Sequence, residues 1–479
     1  MVDAYRRRLL LALAATAAGA VLPRGAWPQP AAPRGALSPL IDELERRTFD
    51  WFWETTPANG LTYDRWPSPS PCSIAAVGFA LTAYGIGAER GWVPRADAAQ
   101  RSLATVRFFR DAPQGPQPSG MAGYRGFFYH FLDVRTGARH EDCEVSTVDT
   151  ALLLGGMLFA RSYFGRDDPA EAEIRKAVDA VYARVEWDWA QPRAPLICHG
   201  WTPEEEFIRY DWQGYNEAMI VYLLALAAPE HPVGPEAWGA WSRRYAYTWG
   251  SLYGFEHLTF APLFGHQFTH TWYDFRGVRD EFMREHGIDY FENSRRATFA
   301  QRAYAIANPM HWRDYGENLW GLTACDGPAN TSRLYLGDTR RFRGYSARGI
   351  SMERFVDDGT IAPTAAGGSI AFAPEIVVPA LQEMHDKLGS VIYGRYGFLD
   401  AFNRSFHYDG RLAYGHRVPD FGWVDNDYLG IDQGPIVAMI ENHRSDLVWR
   451  TMRADPAIRL GLERAGFTGG WLGGFAKAA

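Results

Sequence analysis

The sequence predicts an all-α protein built as an (α/α)6 toroid, with long site-forming loops and a few short strands. Two observations predict it. Apolar residues recur at helical spacing along most of the chain. Segments that are apolar all round also take turns with amphipathic ones. A helix apolar on every side is buried, while an amphipathic one keeps a face in water. That alternation describes an inner ring of buried helices inside an outer ring of half-exposed ones, and roughly a dozen helices make six hairpins. An irregular helical domain is the plainer reading of the same pattern.

The elements follow in order. Residues 37–56 carry Leu40, Ile41, Leu44, Phe49, Trp51 and Phe52 with charges between, an amphipathic helix. Residues 72–85 are small and apolar, 96–110 amphipathic, 145–163 apolar almost throughout, and 169–184 mixed again. The pattern continues with an apolar helix over 216–228 and a mixed one over 235–248. A long polar helix is predicted over 276–307, apolar ones over 374–387 and 434–442, and an amphipathic one over 446–465. The loops 120–143, 196–215, 250–274 and 340–374 are long and rich in Gly, Tyr, Trp and His. Loops this long in a compact domain are functional or disordered, and these are too aromatic for disorder. Short strands are expected around 127–134 and 370–372.

Residues 1–30 read as a signal peptide. Arg6, Arg7 and Arg8 precede an apolar run from 9 to 22, too short for a comfortable membrane span. The consecutive arginines fit twin-arginine export, and a general secretory signal fits nearly as well. Residues 31–37 are a linker, 38–470 the domain and 471–479 a C-terminal tail. A periplasmic or secreted monomer with no membrane contact after cleavage is the expectation. The net charge of −7 argues against nucleic acid as a partner. The four cysteines are scattered with no CxxC pair, which excludes a zinc ribbon and a dense disulfide framework, and one pair could form a disulfide of unassigned pairing. The histidines show no HExxH spacing, so neither a metal nor another cofactor is expected. GxSxG, Walker A and Rossmann motifs are lacking too, so serine hydrolase, NTPase and dinucleotide chemistry lose their main support.

Three stretches carry candidate chemistry. Glu144 to Asp149 precedes an apolar helix; Ser146 and Asp149 fit a capping box, but Glu144 has no such role. Glu217, after Tyr215 and Asn216, opens an otherwise uncharged helix. Residues 423–435 hold Asp425, Asp427 and Asp432 with Trp423 and Gln433. Three carboxylates within eight residues repel one another and raise at least one pKa; Asp432 could also be a helix N-cap. These stretches are expected to meet in one cleft. A helix N-terminus stabilises a carboxylate, which suits a base; a general acid placed there needs burial or a like-charged neighbour to stay protonated. Aromatics make up 15% of the chain, enough to line a sugar groove as well as a core. Trp212, Tyr215, Trp272, Trp320 and Trp423, with His270 and Glu317, are the candidates for binding sugar. His130, Arg125, His199 and His266 are weaker candidates for its hydroxyls.

At these residues the sequence resembles a known family. The segments 144–150, 215–218, 315–322, 358–365 and 431–435 are similar to the bacterial glucoamylase-like domain, which includes the endo-β-1,2-glucanases of glycoside hydrolase family 144. The resemblance spans about 38–470. It implies an (α/α)6 barrel and inverting hydrolysis of β-1,2-glucan to sophoro-oligosaccharides. It implies Glu217 as general acid, Glu144 and Asp149 as site acids, and Asp432 or a neighbour as a further carboxylate. An inverting pair stands ~6.5–9.5 Å apart. Exo action, transglycosylation on a related β-glucan and non-catalytic glycan binding all stay open.

Overall fold

The computed structural model describes residues 37–474. The expected signal peptide, most of the linker and the last five residues of the chain lie outside them. The described chain is mostly helical, with short strands confined to the connections. Among the described residues, no helix is long and apolar enough to cross a membrane.

Helix apolarity decides burial as expected. In the Ile74–Glu89 helix every residue from Ile74 to Gly87 is buried, and in Met219–Ala227 all nine are. Thr147–Tyr163 and Gly430–Ser445 are buried over most of their length. Pro39–Thr55, Arg95–Asp111, Pro169–Ala183 and Pro374–Ile392 bury one face and cover the inner layer. Ile74–Glu89 packs against both Thr147–Tyr163 and Gly430–Ser445, so the two ends of the chain meet in the core.

The contact between the first two is unusually close because Gly78 faces Gly156. A Cβ at Gly156 would stand 1.9 Å from the Gly78 carbonyl oxygen, and one at Gly78 would stand 2.3 Å from that of Leu152. Backbone blocks both, so no side chain can yield. Gly156→Ala is therefore expected to destabilise the fold by at least ~1–3 kcal/mol, the range for overpacked cores. A chemical denaturation curve checks it; an unchanged midpoint would mean that the helices can separate freely.

Several predicted helices are interrupted. The 276–307 segment divides into Glu281–Glu285 and Tyr290–Ala307; Gly287 adopts a φ of +71° between them, and Asp289 caps the second by accepting from the Glu292 N–H. The 446–465 segment breaks at Pro456, which cannot donate a backbone bond, and Asp455 caps the following helix. The 235–248 segment forms two short pieces. The strand expected at 370–372 is a chain of tight turns, with Ile370 N–H donating to Gly367 and Phe372 N–H to Ser369. The strands near 127–134 form, as Phe127–Tyr129 and Phe131–Leu132. Trp471 and Leu472 still pack on the body, Trp471 donating to the Asp274 carbonyl, so the packed domain runs slightly past 470. All four cysteines are free thiols.

Two pairings matter for function. An antiparallel sheet runs Gly123–Tyr124, Phe127–Tyr129, Val145–Ser146, Gly200–Thr202, Glu206–Phe207, with Phe128 opposite Ser146 and Val145 opposite Trp201. It holds His130, Glu144 and His199 side by side. Arg65–Trp66 pairs with Tyr428–Leu429, joining an early loop to the start of the Gly430–Ser445 helix.

Candidate active site

The loops and helix ends enclose a cavity of about 510 Å³ lined by Glu144, Asp149, Glu217 and Asp432, among others. The three acidic stretches therefore do converge. Each acid reaches the cavity by a different local route.

Ser146 is the N-cap of Thr147–Tyr163. Its Oγ accepts from the Asp149 N–H at 3.2 Å and donates to Asp149 Oδ2 at 2.5 Å. The capping box and the cavity thus share one carboxyl. Glu144, two residues earlier on the strand edge, accepts from the His130 ring at 3.1 Å. His130 presents its other ring nitrogen to Asp149 Oδ2 at 3.7 Å.

Glu217 precedes its helix rather than opening it. Met219–Ala227 starts two residues later, and Asn216 Oδ1 accepts from the Ala218 N–H. The helix terminus accordingly has less hold on this carboxyl than the sequence implies. Its Oε2 is buried and has no partner among the described residues. Burial, with a further push from the Asp149 charge, lifts the Glu217 pKa to about 7. Those are the two effects that keep an acid protonated near neutrality. Glu144 goes the other way: burial pushes it up, but the His130 hydrogen bond and charge prevail and hold it below the usual range. Environment thus divides two glutamates of the cavity into one that holds its proton toward neutrality and one held as carboxylate.

Asp432 lies in the first turn of Gly430–Ser445, not at its cap; the helix begins at Gly430 after Leu429. Behind it, Asp326, Asp400 and Asp425 bring carboxylate oxygens within 4.8 Å of one another, all buried. Arg65 pairs with Asp326. Burial first, then repulsion from Asp400 and Asp326, pushes Asp425 and Asp432 well above the carboxylate range. Four buried carboxyls beside one guanidinium cannot all ionise, so they share protons. His130, Glu144 and Asp149 have similar mutual spacing. In each group a protein cation, His130 or Arg65, already supplies positive charge.

The aromatic candidates need correction. Of those expected to meet sugar, Trp212 lines the cavity, stacked on His199 at 3.7 Å with its Nε1 donating to Thr147 Oγ1. Trp272 is core: it stacks on Phe79 and donates to Thr82. Trp320 and Trp423 are buried in one hydrophobic cluster with Trp312 and Phe402, Trp423 donating to the Tyr414 carbonyl. Tyr215 stacks on Tyr290, and the ring of His270 meets Ser294 Oγ at 3.1 Å, both beneath the surface. Glu317 points to solvent and pairs with Arg302. Gln433 is buried against the Phe398 carbonyl. Asp425 is fully buried, and Asp427 accepts from the Ser68 N–H at 2.8 Å. Apart from Trp212, none of these lines the cavity. A buried ring and a sugar-stacking ring look alike in sequence, because both sit among apolar neighbours.

The aromatic walls are instead Phe131, Phe264, Phe268, Tyr345 and Tyr414, and the polar ones include Asp64 and Arg65. The stretch Tyr63-Asp64-Arg65-Trp66 has the same acid–aromatic character as the segments singled out from sequence and could have been found that way. Asp326 and Asp400 stand alone in their loops and carry no such signal.

The family described as "Putative glucoamylase" (Glycoamylase) matches residues 209–456. The crystal structure of a "putative glucoamylase" from Bacteroides uniformis superposes with a TM-score of 0.77 at 31% identity, covering 91% of this chain and 100% of that one. An endo-β-1,2-glucanase from Chitinophaga pinensis, solved with sophorotriose and glucose, gives 0.76 at 27% identity, covering 91% and 100%. An exo β-1,2-glucooligosaccharide sophorohydrolase (non-reducing end) from Parabacteroides distasonis is 28% identical over 453 residues. That alignment takes in 89% of this chain, which spans 57% of the relative's length.

Proposed function

The chain belongs to the Glycoamylase family, and from that premise we propose that it is an inverting glycoside hydrolase acting on β-1,2-linked glucan. The observation that carries the chemistry is the opposite tuning of Glu217 and Glu144 in one cavity. Glu217 is the general acid: it protonates the departing glycosidic oxygen, directly or through a hydroxyl and water chain. Glu144 is the base. A base must be ionised to accept a proton, and Glu144 is held as carboxylate whereas Asp432 is pushed toward its neutral form. Water deprotonated by Glu144 attacks the anomeric carbon from the face opposite the leaving group, and the new hydroxyl is α. Asp149 and Asp432 hold sugar hydroxyls, and Trp212, Tyr345 and Tyr414 offer rings to sugar faces. The (α/α)6 ring is part of this proposal, supported by the packing of Ile74–Glu89 between helices from both ends of the chain.

Incubation with linear β-1,2-glucan tests the reading. Sophoro-oligosaccharides released first as α-anomers are expected; retained configuration, or no release from any β-glucan, overturns it. A mixture of product lengths from the outset means endo action. The similarity to a sophorohydrolase favours a second reading, exo action, in which sophorose alone appears from the non-reducing end. Glu144→Gln should lower kcat ~10²–10⁴-fold, with azide restoring turnover as an α-glycosyl azide. Azide rescue of Asp432→Asn instead would move the base to Asp432.

A further inference from the structure

Building on the assignment of Glu144 as base, we propose that His130 is a positioning residue whose imidazolium clamps Glu144 and Asp149 together and sets the acidic limit of the reaction. The ring lies between the two carboxyls, Nδ1 3.1 Å from Glu144 Oε1 and Nε2 3.7 Å from Asp149 Oδ2. A neutral imidazole has one N–H and can serve only one of them; the cation donates to Glu144 and turns its second N–H toward Asp149, an ion-pair contact at 3.7 Å. The ring stacks on Phe131 at 4.0 Å and 14°, which favours this orientation. Its backbone is fixed as well: the His130 N–H donates to the Glu144 carbonyl at 2.9 Å, and its carbonyl accepts from Ile74.

The surrounding charges agree. Asp64, on the loop before Arg65–Trp66, is a third carboxyl facing the ring. Arg65 beside it is engaged by Asp64 and Asp326. His199, on the neighbouring part of the sheet, is kept neutral by burial. Burial alone would strip the proton from His130, but Asp149 and then Glu144 outweigh it and raise its pKa to about 9. Asp149 is pushed up by burial, and His130 is the first effect that opposes this. Without the cation, Glu144 and Asp149 become like-charged neighbours in a partly dry cavity, and one proton is shared between them. The base then titrates at a higher pH. Glu217 is pushed by Asp149 rather than by His130, so the acidic limb of the pH profile carries the direct effect of His130.

Two measurements test this. Long-range ¹H–¹⁵N spectra of the wild type, with the signal assigned by its loss in His130→Gln, should show both ring nitrogens protonated at pH 7 and deprotonation only near pH 9. A single-proton tautomer at pH 7 overturns the proposal. In His130→Gln the acidic limb of kcat should move up by about one pH unit or more. An unmoved acidic limb overturns the proposal too, whatever happens to the maximal rate. The spectra need no substrate, so they decide the protonation of His130 even if β-1,2-glucan proves not to be cleaved. If His130→Gln fails to fold, His130→Asn supplies the assignment of the wild-type signal instead.

Discussion

Glu217→Gln is expected to lower kcat on β-1,2-glucan by about 10²–10⁴-fold, the range that a positioned general acid contributes. Gln keeps the shape and loses the transferable proton, so KM should change little. The pH profile gives a second test. Glu217 titrates near 7, so the wild-type alkaline limb of kcat should fall there. Chemical rescue gives a third: a substrate with a nitrophenolate leaving group needs little protonation and should recover most of the loss. Equal losses on good and poor leaving groups would remove Glu217 from the acid role. The same residue links activity to stability. Its pKa is raised in the folded state, so its contribution to stability is whole below its unfolded value of about 4.3 and is lost as pH rises through about 7. The Gln variant lacks this titration. Its denaturation midpoint should therefore gain on the wild type over that window, which circular dichroism can follow.

The second large effect lies outside the cavity. Arg348→Met is expected to cost ~3–5 kcal/mol of folding stability, the range for breaking a buried ion pair from one side. Both partners are fully buried. Arg348 binds Asp358 in a fork, Nε to Oδ1 at 2.8 Å and a terminal nitrogen to Oδ2 at 3.0 Å, and donates to the carbonyls of Cys325 and Gly344. Met would leave the Asp358 carboxylate without its counter-charge in the dry interior. The Arg348→Met/Asp358→Leu double variant removes both charges and should recover part of the loss; urea denaturation measures all three proteins. Burial raises the Asp358 pKa, but Arg348 prevails and depresses it. The pair therefore stabilises fully above about pH 3.9 and weakens as pH falls through the lower folded value. Activity should fall as well, because this fork holds the Ala324–Cys325 strand beside Ser346–Ala347 and so sets the cavity walls Ala324 and Tyr345. An Arg348→Met variant as stable as the wild type would show that the surrounding carbonyls, not the charge pair, carry the region.

The asymmetry between what could and could not be read from the chain has a physical basis. Helices were legible because burial of an apolar stripe is written in spacing: Ile74–Glu89 and Met219–Ala227 are apolar all round and lie wholly or almost wholly inside. Local hydrogen bonding was legible for the same reason. Ser146 and Asp149 are three residues apart, and the cap they form needs nothing from elsewhere. The convergence of Glu144, Glu217 and Asp432 was anticipated from their shared acid–aromatic setting. What each acid does there was not. The helix start near Glu217 favours a carboxylate, and desolvation overrides it; desolvation depends on packing from the whole fold.

The Asp425–Asp432 stretch shows the same division. Sequence identified a dense carboxylate segment opening an apolar helix, and residues 430–445 do form that helix. Only the tertiary structure turned Asp425 and Asp427 inward, set Asp326 and Asp400 behind Asp432, and brought Arg65 to the cluster. Asp427 is tied to Ser68, 359 residues away along the chain. Sequence by itself determined which segments are helical and buried, the Ser146–Asp149 cap and the set of acids available. The fold decided which acids meet, which are dry and which have a cation beside them, because Coulomb attraction and desolvation act through space and take no account of distance along the chain.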